Sequence, residues 1–274
     1  MVGRGRTSLG GGSTGMAEIA VLLPALNEGR GIGSVLDRIP VDELRERGHD
    51  VKIWVLDGRS TDKTVEVARS RGARVFLQDG KGKGRAVSQA LGFVQSDYIV
   101  MLDADNTYDP RDMLPMLPML EDGHDVVMGS RVLGTMCDGA MTSKNRIGNS
   151  FLSSTASMLF RRRVTDLCTG FWGFKGSALR KIVVDAKGFE LEAQLFSRSV
   201  KSRLRVGEVP IAYGCRSGDE TKLRGFSAGA RIVWTLLSER LRRGTLNPKN
   251  NYAYVVSSAG NTETASAKFV PDIK

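Results

Sequence analysis

The stretch that decides the fold is Tyr98-Ile-Val-Met-Leu-Asp-Ala-Asp-Asn-Thr-Tyr-Asp-Pro110. Its first five residues are apolar at odd and even positions alike, which predicts a strand covered on both faces of a sheet. The apolar run stops at Asp103 and Asp105, whose like charges repel and lose hydration unless something compensates them. A divalent cation such as Mg²⁺ or Mn²⁺ would do so, because these ions prefer carboxylate oxygens. Two interpretations fit these residues equally well: a metal site that holds phosphate oxygens, and an acidic turn that caps the next helix.

Length and composition limit the classes of protein that the chain can belong to. With 274 residues, 41% of them hydrophobic and 26% charged, it can bury the core of one large α/β domain. The net charge of +10 indicates attraction to nucleic acid, an anionic membrane or phosphorylated substrates. Three widely spaced cysteines predict a reducing compartment without a disulfide framework. We find no run of about 18 apolar residues that would span a membrane, and no apolar core in the first residues that would make them a secretory signal.

Strands and helices alternate from Glu18 onward. The predicted strands are residues 19–23, 51–56, 73–77 and the strand that begins at Tyr98. A helical pattern follows the first strand to about Arg47, and Ser60, Thr61 and Asp62 are candidate N-caps of a second helix. This alternation predicts a mostly parallel sheet with helices on both faces.

The carboxyl ends of parallel strands share one edge of a sheet, and we therefore expect Glu28, Asp57, Asp103 and Asp105 to converge. Carboxylates there can accept hydrogen bonds from a base and a ribose. The loop Gly80-Lys-Gly-Lys-Gly84 offers close backbone approach and two cations to a diphosphate. It has neither the P-loop spacing nor the dinucleotide fingerprint. Alone it would more often be a solvated turn, but its place between two acidic strand ends favours a nucleotide-diphosphate site.

Four motifs in this order resemble those of the family 2 glycosyltransferases, which have the GT-A fold. They are Pro24-Ala-Leu-Asn-Glu28, Asp57-Gly-Arg-Ser-Thr-Asp-Lys-Thr64, Gly82-Lys-Gly84 and Asp103-Ala-Asp105. Later motifs resemble the branch that contains dolichyl-phosphate mannose synthase and dolichyl-phosphate glucosyltransferase. These are Gly129-Ser-Arg131, Arg146, Asp166-Leu-Cys-Thr-Gly-Phe171, Gly207-Glu-Val-Pro-Ile211 and Arg216-Ser-Gly-Asp-Glu-Thr-Lys-Leu223.

The resemblance covers about residues 18–243. It implies a single Rossmann-like α/β domain of the GT-A type at residues 17–244. We expect a disordered tail at residues 1–16 and a polar tail at residues 245–274.

The resemblance also implies roles for particular residues. Asp105 would be the main ligand of Mg²⁺ or Mn²⁺, with Asp103 beside it, and Asp103, Asp105 and Arg131 would be catalytic. Arg131 and Arg146 would hold the phosphate of the acceptor. The nucleotide-sugar would contact Pro24, Leu26, Glu28, Val55, Asp57, Lys83, Leu102, Asp103, Ala104, Arg216 and Lys222.

Four positions depart from the family pattern. Gly58 stands where the branch usually has an acidic residue, Arg59 replaces a glycine and Asp219 replaces another. Leu26 replaces a frequent aromatic residue, so stacking on the base is weaker and the identity of the base stays open.

The function that the resemblance implies is inverting transfer of a sugar from a nucleotide-sugar to a polyprenyl phosphate of the dolichyl type. GDP-mannose, UDP-glucose and UDP-N-acetylglucosamine all remain possible donors. A phosphate acceptor is already anionic and needs no general base, which agrees with the position of His49 and His124 outside the motifs. The alternative is an enzyme of the same fold that acts on a small phosphorylated acceptor such as a phosphoglycerate.

Two segments near the sugar site keep two interpretations each. Phe171-Trp-Gly-Phe174 either lines the sugar pocket or is a core strand. Phe189-Glu-Leu-Glu192 either supplies Glu190 or Glu192 to a sugar hydroxyl or is an exposed helix start.

A lipid acceptor requires access to a membrane. The apolar residues Phe226, Ala230, Val233, Trp234, Leu237 and Leu241 form a helical stripe, and arginines flank it. We expect the stripe to pack on the sheet and the basic cluster at its end to be the better membrane candidate. The protein would then be cytoplasmic and peripheral on the membrane, directly or through a separate membrane partner. A nucleic-acid partner is not expected, since aromatic residues are only 7% of the chain and no recognition motif is present.

Overall fold

The computed structural model describes residues 16–215 and 225–242. Within them, seven strands form one sheet in the order β3-β2-β1-β4-β6-β5-β7. The strands are β1 (Ala17–Ala25), β2 (His49–Asp57), β3 (Arg74–Leu77), β4 (Tyr98–Met101), β5 (Val126–Met136), β6 (Trp172–Lys175) and β7 (Val206–Tyr213). Strand β6 runs antiparallel to β4 and β5, and the other neighbouring pairs are parallel. The mostly parallel α/β sheet is as predicted.

The described helices connect these strands. They are α1 (Ile32–Arg38), α2 (Val41–Glu46), α3 (Thr64–Ser70), α4 (Lys83–Ala90), α5 (Met116–Glu121), α6 (Ser143–Phe160), α7 (Gly176–Leu179), α8 (Leu191–Lys201) and α9 (Gly225–Leu241). In the described ranges no helix combines the length and the apolar character that crossing a bilayer requires.

The sheet is covered on both faces. In β1, Ala20 and Leu22 belong to one hydrophobic cluster, while Val21 and Leu23 belong to a second. Helices α4, α6, α8 and α9 add apolar side chains to the first cluster, and α1, α2, α3 and α5 add theirs to the second. Successive side chains of a strand point to opposite faces, so this division explains why the run from Tyr98 to Leu102 is apolar at odd and even positions alike.

The register brings the strand ends to one edge. Ala25 of β1 lies beside Asp57 of β2, and Asp57 lies beside Leu77 of β3. On the other side Leu22 pairs with Met101, the last residue of β4. The loops that follow β1, β2, β3 and β4 therefore share the carboxyl edge of the sheet, as predicted.

The predicted helix to Arg47 is wrong in one respect: α1 and α2 are separate helices. Ile39, which precedes Pro40, has an extended backbone, with φ −61° and ψ 123°. A residue before proline is driven out of the helical region by the proline ring, and the helix ends there. The expected N-caps also differ, because α3 begins at Thr64 with Lys63 in the cap position.

Two cysteines correct the expectation of a chain without disulfides. Cys137 and Cys215 are disulfide-bonded although 78 residues separate them in sequence. They are brought together by the sheet, because Met136 at the end of β5 pairs with Tyr213 at the end of β7. Cys168 is a free thiol, and its burial raises its pKa to about 12.

The apolar stripe on α9 is a further correction. We expected it to pack on the sheet, but Trp234 is 72% exposed and Leu241 is 79% exposed. The buried face of the helix consists instead of Ala228, Ile232 and Leu236. The sequence of α9 is apolar on two opposite faces, and periodicity alone does not tell which of them is inside. The side chain of Phe226 lies outside the described part.

Candidate active site

The loops after β1 and β2 are held together by hydrogen bonds. The backbone N–H of Asn27 donates to Ser60 Oγ, and that of Glu28 donates to Thr64 Oγ1, both at 2.9 Å. The N–H of Gly29 donates to Asp62 Oδ2 at 2.9 Å. Side-chain acceptors at this spacing replace regular structure in a loop, which explains why Ser, Thr and Asp follow the second strand.

Asp57 is the most deeply buried carboxylate of this edge, with no exposed surface. Its Oδ2 accepts the backbone N–H of Ser60 at 3.0 Å. Its Oδ1 is also buried and has no hydrogen-bond partner among the described residues. A buried acceptor without a hydrogen-bond donor is energetically unfavourable. We therefore expect a bound molecule to supply a donor to Asp57 Oδ1.

The apolar residues predicted to contact the nucleotide differ in exposure. Leu26 is 44% exposed and lies against Gly58, where a Cβ would contact its side chain. Pro24 is half-buried. The side chain of Val55 is fully buried in the core, so only its backbone can face the site.

Arg59 explains one departure from the family pattern. Its φ is +66°, in the left-handed region that favours glycine, the residue the family has there. The arginine is held by its Nε, which donates to the carbonyl of Gln78 at 3.2 Å. The loop after β2 thus keeps the backbone conformation that a glycine would allow, and Arg59 adds a cationic side chain at the carboxyl edge of the sheet.

Asp103 stands at the end of β4 in an ion pair with Lys83. The Nζ of Lys83 lies 2.6 Å from Asp103 Oδ1 and 2.8 Å from Glu192 Oε1. Burial alone would lower the pKa of Lys83, but the two carboxylates outweigh it and raise the pKa above its ordinary value. Burial raises the pKa of Glu192, and Lys83 opposes that rise. Lys83, Asp103 and Glu192 form a compact charged cluster at the carboxyl end of β4.

Glycines are required where the backbone crowds this cluster. A Cβ at Gly82, whose φ is +101°, would collide with the carbonyl of Lys187, and one at Gly84 would collide with that of Ala186. A Cβ at Gly170 would collide with Asp103 Oδ2. Gly82 and Gly84 are therefore packed against the segment before α8, while Gly80 and Lys81 are exposed.

Asp105 is half-buried, and its Oδ1 accepts from the backbone N–H and the Oγ1 hydroxyl of Thr107, the latter at 2.6 Å. Leu102 and Ala104, on either side of Asp103, have buried side chains and offer only backbone groups. Across residues 16–215 and 225–242, no group of three or more His, Cys, Asp or Glu side chains is arranged to hold a metal ion.

Arg131, on β5, is buried in a bidentate ion pair. Its Nε and Nη2 donate to the two carboxylate oxygens of Asp166, each at 2.7 Å, and its backbone N–H donates to Asp166 Oδ2. The guanidinium carbon lies 5.0 Å from the centre of the Tyr213 ring. Tyr108, whose hydroxyl accepts the N–H of Gly170 at 2.8 Å, packs against the same ring. Burial raises the pKa of Tyr108, so it remains neutral.

The remaining predicted cations are Arg146, on α6, and two residues outside the described part. Arg146 is exposed in the first turn of α6, where the N–H of Arg146 bonds to the carbonyl of Thr142. Its Nη2 contacts Met136 Sδ, at the end of β5. Arg216 and Lys222 fall between residues 215 and 225, outside the described part.

The structure separates the alternatives left open for the aromatic and acidic segments. Phe171, Trp172 and Phe174 are fully or almost fully buried, so the segment is a core strand. Glu190 accepts the backbone N–H groups of Lys187 and Gly188 and shapes the loop. Glu192 instead faces Lys83 and is joined through it to Asp103.

Asp166 pairs with Arg131 and Tyr108 packs against the same Tyr213 ring, and our sequence analysis assigned neither of them a role. Asp166 lies in the Asp166-Leu-Cys-Thr-Gly-Phe171 motif, which pointed to the branch without giving the partner of Arg131. Tyr108 lies three residues after Asp105 and carries no periodic or charge signal.

Residues 20–183 match the sequence profile described as Glycosyl transferase family 2. This chain belongs to that family. The match covers more than half of the chain and includes the loops after β1, β2 and β4, so the protein is a glycosyltransferase, as predicted.

Relatives with curated names support a finer placement. Glycosyltransferase AglJ of Haloferax volcanii is 31% identical over 250 residues, which cover 90% of this chain and 78% of that protein. A second protein of Haloferax volcanii, named Dolichyl-phosphate hexose transferase, is 37% identical over 233 residues, or 82% of this chain and 96% of that protein. The predicted resemblance to the dolichyl-phosphate branch is confirmed.

Among solved structures, the chain is similar to glucosyl-3-phosphoglycerate synthase from Mycobacterium tuberculosis. The complex of that protein with Mn²⁺, UDP-glucose and phosphoglyceric acid is 25% identical, with a TM-score of 0.63. The superposition covers 82% of this chain and 80% of that chain. The GT-A fold is confirmed.

Proposed function

We propose that this glycosyltransferase moves a hexose from a nucleotide-sugar to a polyprenyl phosphate, with inversion at the anomeric carbon. The product would be a lipid-phosphate sugar, a donor for later glycosylation. The observation that carries the reaction class is the convergence of Asp57, Asp103 and Asp105 with Lys83 at the carboxyl edge of the sheet. The lipid acceptor is supported by the 37% identity to a dolichyl-phosphate hexose transferase over nearly all of that protein.

The donor would lie across the loops after β1, β2 and β4. The orphaned Asp57 Oδ1 suits an N–H of the base, and the exposed side chain of Leu26 suits its face. Asp103 and Glu192, which are joined through Lys83, would accept hydrogen bonds from sugar hydroxyls.

A divalent metal fits this donor set. Mg²⁺ and Mn²⁺ are commonly held by one or two carboxylates, with substrate phosphates completing the coordination. Asp105, with Asp103 beside it, would hold the ion. The ion would supply positive charge for the departing nucleoside diphosphate.

The acceptor needs orientation rather than deprotonation. An oxygen of its phosphate forms the bond to the anomeric carbon, the bond from that carbon to the donor diphosphate breaks, and the diphosphate leaves with the electron pair. No proton has to be removed, because a phosphate monoester is already anionic at neutral pH. Arg131, which Asp166 and Tyr213 hold in one orientation, would bind this phosphate, and Arg146 would assist from the first turn of α6.

A second candidate function is favoured by the solved structures. Glucosyl-3-phosphoglycerate synthase has the same fold and was solved with phosphoglyceric acid, a small phosphorylated acceptor. The same arginines could hold either acceptor, since both present a phosphate. Glucosyl-3-phosphoglycerate synthase is 25% identical to this chain, whereas the Dolichyl-phosphate hexose transferase is 37% identical. We therefore prefer the lipid acceptor.

The experiment is transfer of radiolabelled sugar into polyprenyl phosphate, tested with GDP-mannose, UDP-glucose and UDP-N-acetylglucosamine. We expect label in the organic phase from one donor, and loss of that label when EDTA removes divalent metal. Asp105→Asn should reduce the rate at least about a hundredfold, because the charge that balances the diphosphate is lost.

The matched control is Asp50→Asn. Asp50 is exposed on β2 at the opposite edge of the sheet and should leave the rate unchanged. Equal rates for the two variants, or transfer that persists in EDTA, would contradict the proposed site.

A further inference from the structure

The outer face of α6 carries an apolar stripe that nothing in the described chain covers. Ile147, Phe151 and Met158 are 70%, 62% and 73% exposed. At 3.6 residues per turn they lie within about 40° of one another on the helix surface. Leu152 and Ala156, on the opposite face, are buried in the core. The helix is therefore anchored by one apolar face and presents a second one outward.

Helix α9 repeats this arrangement beside α6, against which it packs. Trp234, Leu237 and Leu241 are exposed and lie within about 60° of one another on the helix surface. Ile232 and Leu236 lie on the opposite face and join the same core cluster as the buried side of α6. Because both helices bury their inner faces in one cluster, the two stripes face outward from the same side of the sheet.

Basic residues border both stripes. On α9, Arg231 lies to one side of the stripe and Arg240 lies to the other, and Arg242 directly follows the helix; all three are exposed. Directly after α6, the exposed Arg161 to Arg163 follow the last turn. They line a groove of about 680 Å³ together with serine hydroxyls of α6 and with Met158 of the apolar stripe.

We propose that this docking surface, made of the two apolar stripes and the arginines 161–163, binds an anionic phospholipid bilayer, and that the groove receives a headgroup phosphate. Apolar side chains bordered by arginines match the acyl and headgroup layers of such a bilayer. A second copy of the chain would bring like charges together, and nucleic acid would gain nothing from exposed Ile147 or Met158. The inference rests on the proposed function for its biological role, since an enzyme with a lipid acceptor has to reach the membrane.

The surface contains its own spectroscopic probe. Of the three tryptophans of the chain, Trp54 and Trp172 are buried and only Trp234 is exposed. We would titrate the full chain with phosphatidylcholine vesicles that contain phosphatidylglycerol but no polyprenyl phosphate. The emission should shift to shorter wavelength as Trp234 enters the bilayer, and pure phosphatidylcholine vesicles should bind much more weakly. An emission spectrum that the anionic vesicles leave unchanged would overturn the proposal.

Paired charge variants test the arginines. Arg161→Gln with Arg163→Gln should weaken vesicle binding on the order of thirtyfold, since each arginine at an anionic surface contributes a factor of about five. Arg45→Gln with Arg69→Gln removes the same charge from exposed sites on α2 and α3, across the sheet, and should weaken binding far less. If both pairs of substitutions weakened vesicle binding equally, binding would depend only on the net charge of the protein. That result would overturn the proposal of a defined docking surface.

A variant of the stripe tests the apolar part. Phe151→Ser with Leu241→Ser keeps Trp234 as the probe and should weaken binding by at least about tenfold. A single-stranded oligonucleotide that shifts Trp234 as strongly as the vesicles do would assign the surface to nucleic acid and overturn the proposal. The proposed function is tested separately, by sugar transfer to polyprenyl phosphate dispersed in detergent. An absence of transfer in that assay would count against the proposed function, whereas the vesicle experiments test membrane docking alone.

Discussion

Lys83→Met tests whether the charged cluster at the end of β4 is organised by its single cation. In the folded protein the ammonium group lies within 2.8 Å of carboxylate oxygens of both Asp103 and Glu192. Methionine has a similar length and no charge, so the substitution removes the ion pairs with little change in volume. Two partly buried carboxylates are then left facing each other without a partner.

The expected loss of stability follows from the burial of these groups. Removing one partner of a fully buried ion pair costs about 3–5 kcal/mol in the free energy of unfolding. The Lys83 and Asp103 side chains keep 23% and 32% of their surface exposed, so solvent screens the pair in part. We therefore expect a loss of about 2 kcal/mol at pH 7, measured by urea unfolding followed by circular dichroism.

The loss should depend on pH in a defined direction. Burial already raises the pKa of Glu192 above its ordinary 4.5, and removing Lys83, which opposes that rise, raises it further. A carboxyl group with a raised pKa binds more protons in the folded state, so the stability of the variant rises as pH falls from 7 toward 4.5. The difference from the parent protein should shrink by about 1 kcal/mol at pH 5.

A second substitution provides the control for this reasoning. Glu192→Gln in the Lys83→Met background removes one of the two facing charges and should restore about 1 kcal/mol at pH 7. The account of the cluster would be refuted if Lys83→Met were as stable as the parent protein at pH 7. It would also be refuted if the double variant were no more stable than Lys83→Met alone.

Three further predictions concern other parts of the site. Asp57→Asn should raise the KM for the nucleotide-sugar about tenfold with a small change in kcat, because a buried acceptor is replaced in part by a donor; an unchanged KM would remove Asp57 from the donor site. Arg131→Lys should raise the KM for the acceptor and lower the free energy of unfolding by about 2 kcal/mol, because a lysine cannot form the bidentate pair with Asp166; a variant with parental stability and KM would contradict the geometry. Thiol titration of the unreduced, urea-unfolded chain should find one reactive group, Cys168, since the other two cysteines are bonded to each other; three thiols would contradict the disulfide.

The sequence predicts the edge where the site lies because strand ends carry their own signal. An apolar run that stops at Asp57 or at Asp103 identifies a strand and, at the same time, the acidic residue at its carboxyl end. Parallel pairing then places these ends together, which requires no knowledge of the rest of the chain. The pairing of Ala25 with Asp57 places the ends of β1 and β2 side by side, as predicted for these strand ends.

Pairings between distant segments could not be predicted in the same way. Arg131 meets Asp166, and Cys137 meets Cys215, only because β5, β6 and β7 are neighbours in the sheet. No local pattern encodes which of several acidic residues an arginine will face. The exposed stripe of α9 is a related case, because a helix that is apolar on two faces has the same periodicity whichever face is buried.

The measurement that tests the central claim most directly is a competition between the two acceptors. Polyprenyl phosphate and 3-phosphoglycerate are supplied together with the radiolabelled donor and Mn²⁺, and the organic and aqueous phases are counted separately. We predict label in the organic phase that depends on Asp105 and is little reduced by excess 3-phosphoglycerate. Label that accumulates instead in the aqueous phosphoglycerate product would contradict the lipid acceptor and establish the second candidate function.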